Sequence, residues 1–193
     1  MSATAEDPIA QLAESWGIPL QHGGDTPMGP YLYREQRAML ATDQEALAYA
    51  ARAMLAFTRA RRSDPLIRHV AGSIAAGIPP NRPTDVARAL LDWSRRMLRY
   101  VPDPLGLELV ADPIYTLHSG FGDCDDLGVV LGSLGAAVGL RVAYTYGPMA
   151  GGREHVFPLF LLDGAWRPAD PTAPGMPLGA WPPGFRIREQ LEV

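Results

Sequence analysis

The run from Cys124 to Val138 leaves this chain little freedom in how it folds. Leu127, Val130, Leu131, Leu134 and Val138 fall at i, i+3, i+4, i+7 and i+11, the period of a buried helical face. Asp123 suits the N-cap, because its carboxylate accepts from first-turn amides. Glycines at 128, 132 and 135 cost about 1 kcal/mol each against alanine inside a helix. Close packing of this helix on a sheet accounts for them. Cys124, the one cysteine of the chain, follows the glycine-loosened Gly120-Phe121-Gly122 and opens the helix. At that position the helix dipole and unpaired amides favour negative charge, which lowers a thiol's pKa.

Upstream, the pattern is helical. Residues 1–34 carry turn chemistry at Gly23-Gly24-Asp25 and Pro27-Met28-Gly29-Pro30 and read as an arm that docks on the domain. Thr42-Asp43-Gln44-Glu45 is a capping box, followed by the apolar stripe Leu47, Ala50, Ala51, Met54 and Leu55 as far as Arg61. Asp64-Pro65 starts a second helix with Leu66, Val70 and Ile74 on its buried side, ended by Gly77 and Pro79-Pro80. Thr84 is expected to cap a third, with Val86, Leu90, Trp93 and Met97 inward and Arg95, Arg96 and Arg99 at its end. Pro102-Asp103-Pro104 then breaks the pattern.

After Gly139 the period becomes two. Strands are expected over 141–146, 156–162 and 165–169, with Asp163-Gly164 as a type I′ turn between the last two. A two-residue turn pairs 162 with 165 and sets Asp170 opposite Phe157, with His155 a diagonal neighbour about 7–8 Å away. Pro158 points to an edge strand or a bulge. The segment 173–193 is a Pro/Gly-rich tail with Trp181 and Phe185 as anchors.

Cys124, His155 and Asp170 are the residue types of nucleophilic acyl chemistry: a thiolate, a proton shuttle and a carboxylate that fixes the imidazole tautomer. The Cys124 amide can serve the oxyanion, with Thr116, His118, Ser119 and Asp123 as further oxyanion or cleft candidates. Taken singly, each member has a plainer reading: a buried thiol, a core histidine and an Asp-Pro turn. Their joint arrangement outweighs these. Asp125 and Asp126 read as first-turn carboxylates and not metal ligands; a calcium loop begun at Asp123 would put leucine at positions 5 and 12. No cofactor or metal is expected.

Other classes fall away on composition. All 17 basic residues are arginine, which removes Schiff-base lysines and P-loops. A net charge of −4 with dispersed arginines does not fit nucleic-acid binding. One cysteine excludes an intrachain disulfide framework and a multi-cysteine zinc site. Met1 to Gly17 has no basic n-region and no long apolar run, so neither a signal peptide nor a membrane span is expected, and synthesis in the cytoplasm is.

Gly122-Asp123-Cys124-Asp125-Asp126, the glycine-rich helix, His155-Val156 and Gly164-Ala165-Trp166-Arg167-Pro168-Ala169-Asp170-Pro171-Thr172 resemble, in order, the three motifs of the transglutaminase-like superfamily over residues 84–172. The resemblance implies an α+β, papain-like core, in which a helix bearing Cys packs on a small antiparallel sheet, with an N-terminal helical extension. It divides the chain into an arm (1–34), a helical subdomain (35–100), a catalytic core (101–172) and a tail (173–193). It also implies hydrolysis of a peptide or protein amide through a thioester, a peptidoglycan peptide being one variant. More narrowly, Tyr100-Val101-Pro102-Asp103-Pro104, Glu108 and Asp112-Pro113 are similar to the version encoded by tailed phages and prophages. That similarity implies phage tail, baseplate or other virion proteins as partners, incorporation in a virion, and a structural role as the rival to turnover. Two departures stand out: no evident aromatic or amide residue upstream of Cys124 to serve the oxyanion, and Phe157 where the family often has Trp.

Overall fold

The computed structural model describes residues 35–38, 43–103 and 107–193; the arm at 1–34 and the Thr42 cap lie outside them. The chain runs β1 (Glu35–Ala38), α1 (Asp43–Arg61), α2 (Pro65–Ala75), α3 (Pro83–Met97), β2 (Arg99–Tyr100), β3 (Leu107–Val110), α4 (Pro113–Ser119), β4 (Phe121–Gly122) and α5 (Cys124–Ala137). Strands β5 (Val142–Pro148), β6 (Glu154–Leu162), β7 (Ala165–Pro168) and β8 (Glu189–Glu192) complete it. The last four form one antiparallel sheet in the order β7-β6-β5-β8, while β1 pairs with β3 and β2 with β4. Among the described residues, no helix is long and apolar enough to cross a membrane.

Helix α5 is the hub. It contacts α1, α2 and α3 as well as β6, and every residue from Asp125 to Gly135 is buried. The single apolar face read from its periodicity is thus an underestimate: a helix enclosed by other helices and a sheet must be apolar all round. Val129 and Ser133, off the predicted stripe, are fully buried too. One hydrophobic core joins Leu47, Ile67 and Leu90 of the preceding helices to Leu131 and Leu134 of α5 and Phe160 of β6.

Local chemistry explains the element starts, with some corrections. Asp64 caps α2 through Leu66 N at 2.9 Å with Pro65 in the first turn, and its buried side is Ile67, Val70 and Ala71, with Leu66 and Ile74 half-buried. Thr84 does not cap α3. The N-cap is Arg82, and Pro83 begins the helix, which frees the Thr84 hydroxyl to donate to Asp163 at 3.3 Å. The inward face of α3 is Ala87, Leu90, Leu91 and Ser94, and Met97 is 44% exposed.

Asp163 and Gly164 both have positive φ (52° and 76°), as a type I′ turn requires. Leu162 pairs with Ala165 and the register runs to Leu159 opposite Pro168. Pro158 lies in an inner strand whose pairing with β5 runs unbroken past it, so it marks neither the edge nor the bulge expected of it. Its main-chain groups face β7: its carbonyl accepts from Ala169 N at 3.0 Å, and the amide it lacks is the one that would extend this ladder. The β6–β7 pairing stops there, and the chain turns away at Asp170. The tail is more than a surface loop, since its end forms β8 and pairs with β5 from Ala143–Glu192 to Tyr146–Glu189.

Candidate active site

Asp123 is the N-cap of α5, and its side chain and that of Asp126 form a reciprocal capping box. Asp126 accepts from Ala111 N at 2.7 Å and from Asp123 N at 3.4 Å, so the loop before Cys124 is tied to the segment before α4. Gly122 makes this possible, because a Cβ there would collide with the Asp126 side chain. Cys124 is held as the first helical residue, partly exposed.

Burial pushes the Asp126 carboxyl up to about 7, opposed by the Ala111 amide and aided by the charges of Asp123 and Asp103. Between about pH 4 and 7 the folded protein therefore holds a proton here that the unfolded chain has lost, and stability falls as pH rises through that window. Urea unfolding at pH 5 and pH 8 is expected to show a loss of at most about 3 kcal/mol from this group, flattened in Asp126→Asn. Parallel slopes in the two proteins would refute the assignment.

His155 enters from β6 and Asp170 from just beyond β7. Their Nε2–Oδ2 separation is 2.8 Å. Asp170 Oδ1 accepts from the amide and the hydroxyl of Thr172, at 2.9 and 2.7 Å. Burial raises the Asp170 carboxyl, but the hydrogen bond and charge of His155 and the bonds from Thr172 outweigh it, and the net shift is downward. An ionised Asp170 accepts only, so His155 Nε2 carries the proton it donates and Nδ1 is left as the basic nitrogen.

Cys124, His155 and Asp170 line one open cavity of about 420 Å³. Thr116, His118, Ser119 and Asp123 do not border it. Thr116 is fully buried in α4, His118 is exposed, and Ser119 Oγ donates to Phe121 O at 3.1 Å. The left-handed turn at Gly120 (φ 71°) and the β4 step separate α4 from the head of α5, while the Asp123 carboxylate is used in capping.

Other residues that the sequence did not name as candidates lie against these side chains. The parallel β2–β4 pair sets Tyr100 beside Gly122, and Tyr100 lines the cavity with Cys124. Burial and then the charges of Cys124 and three nearby aspartates raise its phenol, so it stays a donor at neutral pH. Arg95 of α3 donates to the main-chain carbonyl of Asp170 at 2.7 Å and so anchors the carboxylate's own residue. The tail supplies a wall of the cavity through Ala173, Met176 and Pro182, next to Thr172. It also backs the histidine: His155 lies 5.3 Å from Phe157, which packs 4.8 Å from Phe185, and Phe185 stacks on Trp181.

Among the described residues, Asp123, Asp125 and Asp126 form the grouping able to converge on a cation, with one oxygen of each within 4.8 Å of the others. Those carboxylates also receive the amides of Asp125, Asp126, Ala111 and Asp123. They are parts of the helix cap first.

No family model and no curated protein matches the chain. Solved structures do. A proposed cysteine protease from Cytophaga hutchinsonii is similar at a TM-score of 0.54 and 18% identity, over 72% of this chain and 46% of that one. A proposed protease from Parabacteroides distasonis follows at a TM-score of 0.50 and 15% identity, over 64% of this chain and 27% of its own. Legionella pneumophila LapG in its calcium-bound form gives 0.50 and 15%, over 73% and 83%. The chain spans less than half the length of the first two. At these identities the likeness concerns architecture, and on that ground the chain has the papain-like cysteine protease fold.

Proposed function

We propose that the protein hydrolyses a peptide or protein amide bond through a thioester on Cys124. The observation that carries this reading is the His155–Asp170 hydrogen bond at 2.8 Å, opening on the same cavity as a thiol at a helix head. In this mechanism His155 Nδ1 takes the thiol proton, and the thiolate adds to the substrate carbonyl. The helix-head amide of Cys124 and the Tyr100 hydroxyl receive the charge that develops on oxygen. His155 returns the proton to the leaving nitrogen as the C–N bond breaks. Water, deprotonated by the same imidazole, then cleaves the thioester and releases the acid.

Hydrolysis is preferred to cross-linking because the resemblance favours it in bacterial members. Without lysine, the chain also offers no side-chain amine as its own acyl acceptor. A phage or prophage setting, with virion proteins as partners, belongs to this proposal on the similarity of the 100–113 segment alone; the solved structures named above lend it no support.

The test needs no substrate. Iodoacetamide is expected to label Cys124 at pH 6 roughly ten times faster or more in wild type than in His155→Ala, since a free thiol near pKa 8.5 is almost wholly protonated there. Equal, slow labelling of both would leave the fold in a structural role.

A further inference from the structure

The charges that line the cavity are balanced, with one exception. Asp170 is matched by His155 at 2.8 Å. Glu154 is matched by Arg188, also at 2.8 Å. Arg153 lines the same cavity and has no carboxylate partner among the described residues.

Its position is fixed by the hairpin that carries it. Met149 N donates to Arg153 O at 2.8 Å, closing the turn through Gly151 and Gly152, both at positive φ. Ala150 N donates to Pro183 O at 2.9 Å, which pins the tip of the turn to the tail. Arg153 stands just before β6 and two residues, about 7 Å of chain, before His155, and both residues line the same cavity. His155 is the group that hands a proton to the departing amine, which puts the leaving half of a substrate along this wall.

We infer that Arg153 is a specificity-determining residue that selects substrates bearing a carboxylate on the leaving-group side, within about two residues of the scissile amide. The inference rests on the hydrolase reading for the direction of the substrate, but the field of Arg153 at the thiol is measurable without it. Either an acidic side chain or a free C-terminus offers the required group, and the guanidinium takes a carboxylate in a two-pronged hydrogen bond.

The experiment compares alkylation of Cys124 by iodoacetate, an anion, with that by neutral iodoacetamide. Their rate ratio, referred to glutathione under the same buffer, is expected to fall about three- to tenfold in Arg153→Gln, roughly what one exposed charge at about 5–7 Å supplies in an open cavity where the dielectric approaches that of water. It should fall further in Arg153→Glu, and the difference should shrink at high salt. A ratio unchanged in both variants overturns the inference. Loss of the His155 dependence with the ratio still responding to Arg153 would instead overturn the hydrolase reading, so the two failures are distinct.

A second arm identifies the source of the carboxylate. Acyl-enzyme formed from p-nitrophenyl acetate is offered Ala-Asp-NH2, Ala-Asn-NH2 or Ala-Ala with a free C-terminus as amine acceptors. Preferential capture by the first indicates a side chain and by the last a C-terminus, in each case abolished by Arg153→Gln; equal capture by all three counts against the inference.

Discussion

Asp170→Asn is expected to slow acylation of Cys124 by p-nitrophenyl acetate by about 10²–10⁴-fold while leaving the thermal midpoint within a few degrees of wild type. The hydrogen bonds already present dictate this. Thr172 gives Asp170 Oδ1 two donors, its amide at 2.9 Å and its hydroxyl at 2.7 Å. An asparagine at 170 must keep its carbonyl oxygen at that position, so its NH2 is forced toward His155. The imidazole can satisfy that donor only by leaving Nε2 unprotonated, which moves its proton to Nδ1. The nitrogen that should take the thiol proton then already carries one. Rate and pH profile therefore change together: the alkylation midpoint of Cys124 should climb toward the free-thiol value near 8.5. A variant that kept wild-type acylation and an unshifted profile would show that Asp170 does not orient the imidazole.

Much of this constellation was legible because it is written in short-range chemistry. Asp163-Gly164 specifies a turn whose register follows by counting, and that register carries Asp170 toward His155. Asp123 and the apolar spacing behind it locate the start of α5, and with it the thiol. What stayed hidden depends on pairings that leave no periodic trace. The β2–β4 ribbon has two residues per strand, too few for an alternation, yet it delivers Tyr100 to the cavity. Arg95 looks like any basic residue in a last turn, because its partner carbonyl is 75 positions away. Strand β8, Glu-Gln-Leu-Glu, buries little on the sheet edge, so no hydrophobic pattern marked it; Leu191 alone packs toward the core. The buried faces of α2 and α3 were shifted because apolar residues such as Met97 can sit at a helix margin in contact with solvent. Pro158 misled for a sharper reason. A proline is tolerated within a sheet wherever the missing amide falls beyond the end of one neighbour's ladder, and here that end is the point of departure for Asp170.

Gly132→Ala is expected to destabilise the fold by roughly 2 kcal/mol, although alanine is favoured over glycine in a helix by about 1 kcal/mol. A Cβ on residue 132 would overlap the hydroxyl of Tyr144 on β5. That ring has nowhere to go. Tyr144 is fully buried, and its hydroxyl is hydrogen-bonded to Thr58 of α1 at 2.5 Å, so helix, sheet and a second helix meet at this one oxygen. Overpacking at such a point costs about 1–3 kcal/mol, and the locked geometry puts this case at the upper end. For a chain of this size a loss of 2 kcal/mol lowers the thermal midpoint by roughly 4–8 °C. Tyr144→Phe alone should cost about 1 kcal/mol, since Thr58 Oγ1 keeps Ser133 Oγ at 3.3 Å as a partner. In the double variant the overlapping oxygen is gone and only the ring carbon Cζ, 2.7 Å from the added Cβ, still crowds it, so Gly132→Ala in the Tyr144→Phe background should cost clearly less than in wild type, a favourable coupling of about 1 kcal/mol. Strict additivity in the cycle would mean that α5 is not held against the sheet by this contact. The thiol at the head of the helix would then owe its position to the cap at Asp123 and Asp126 alone.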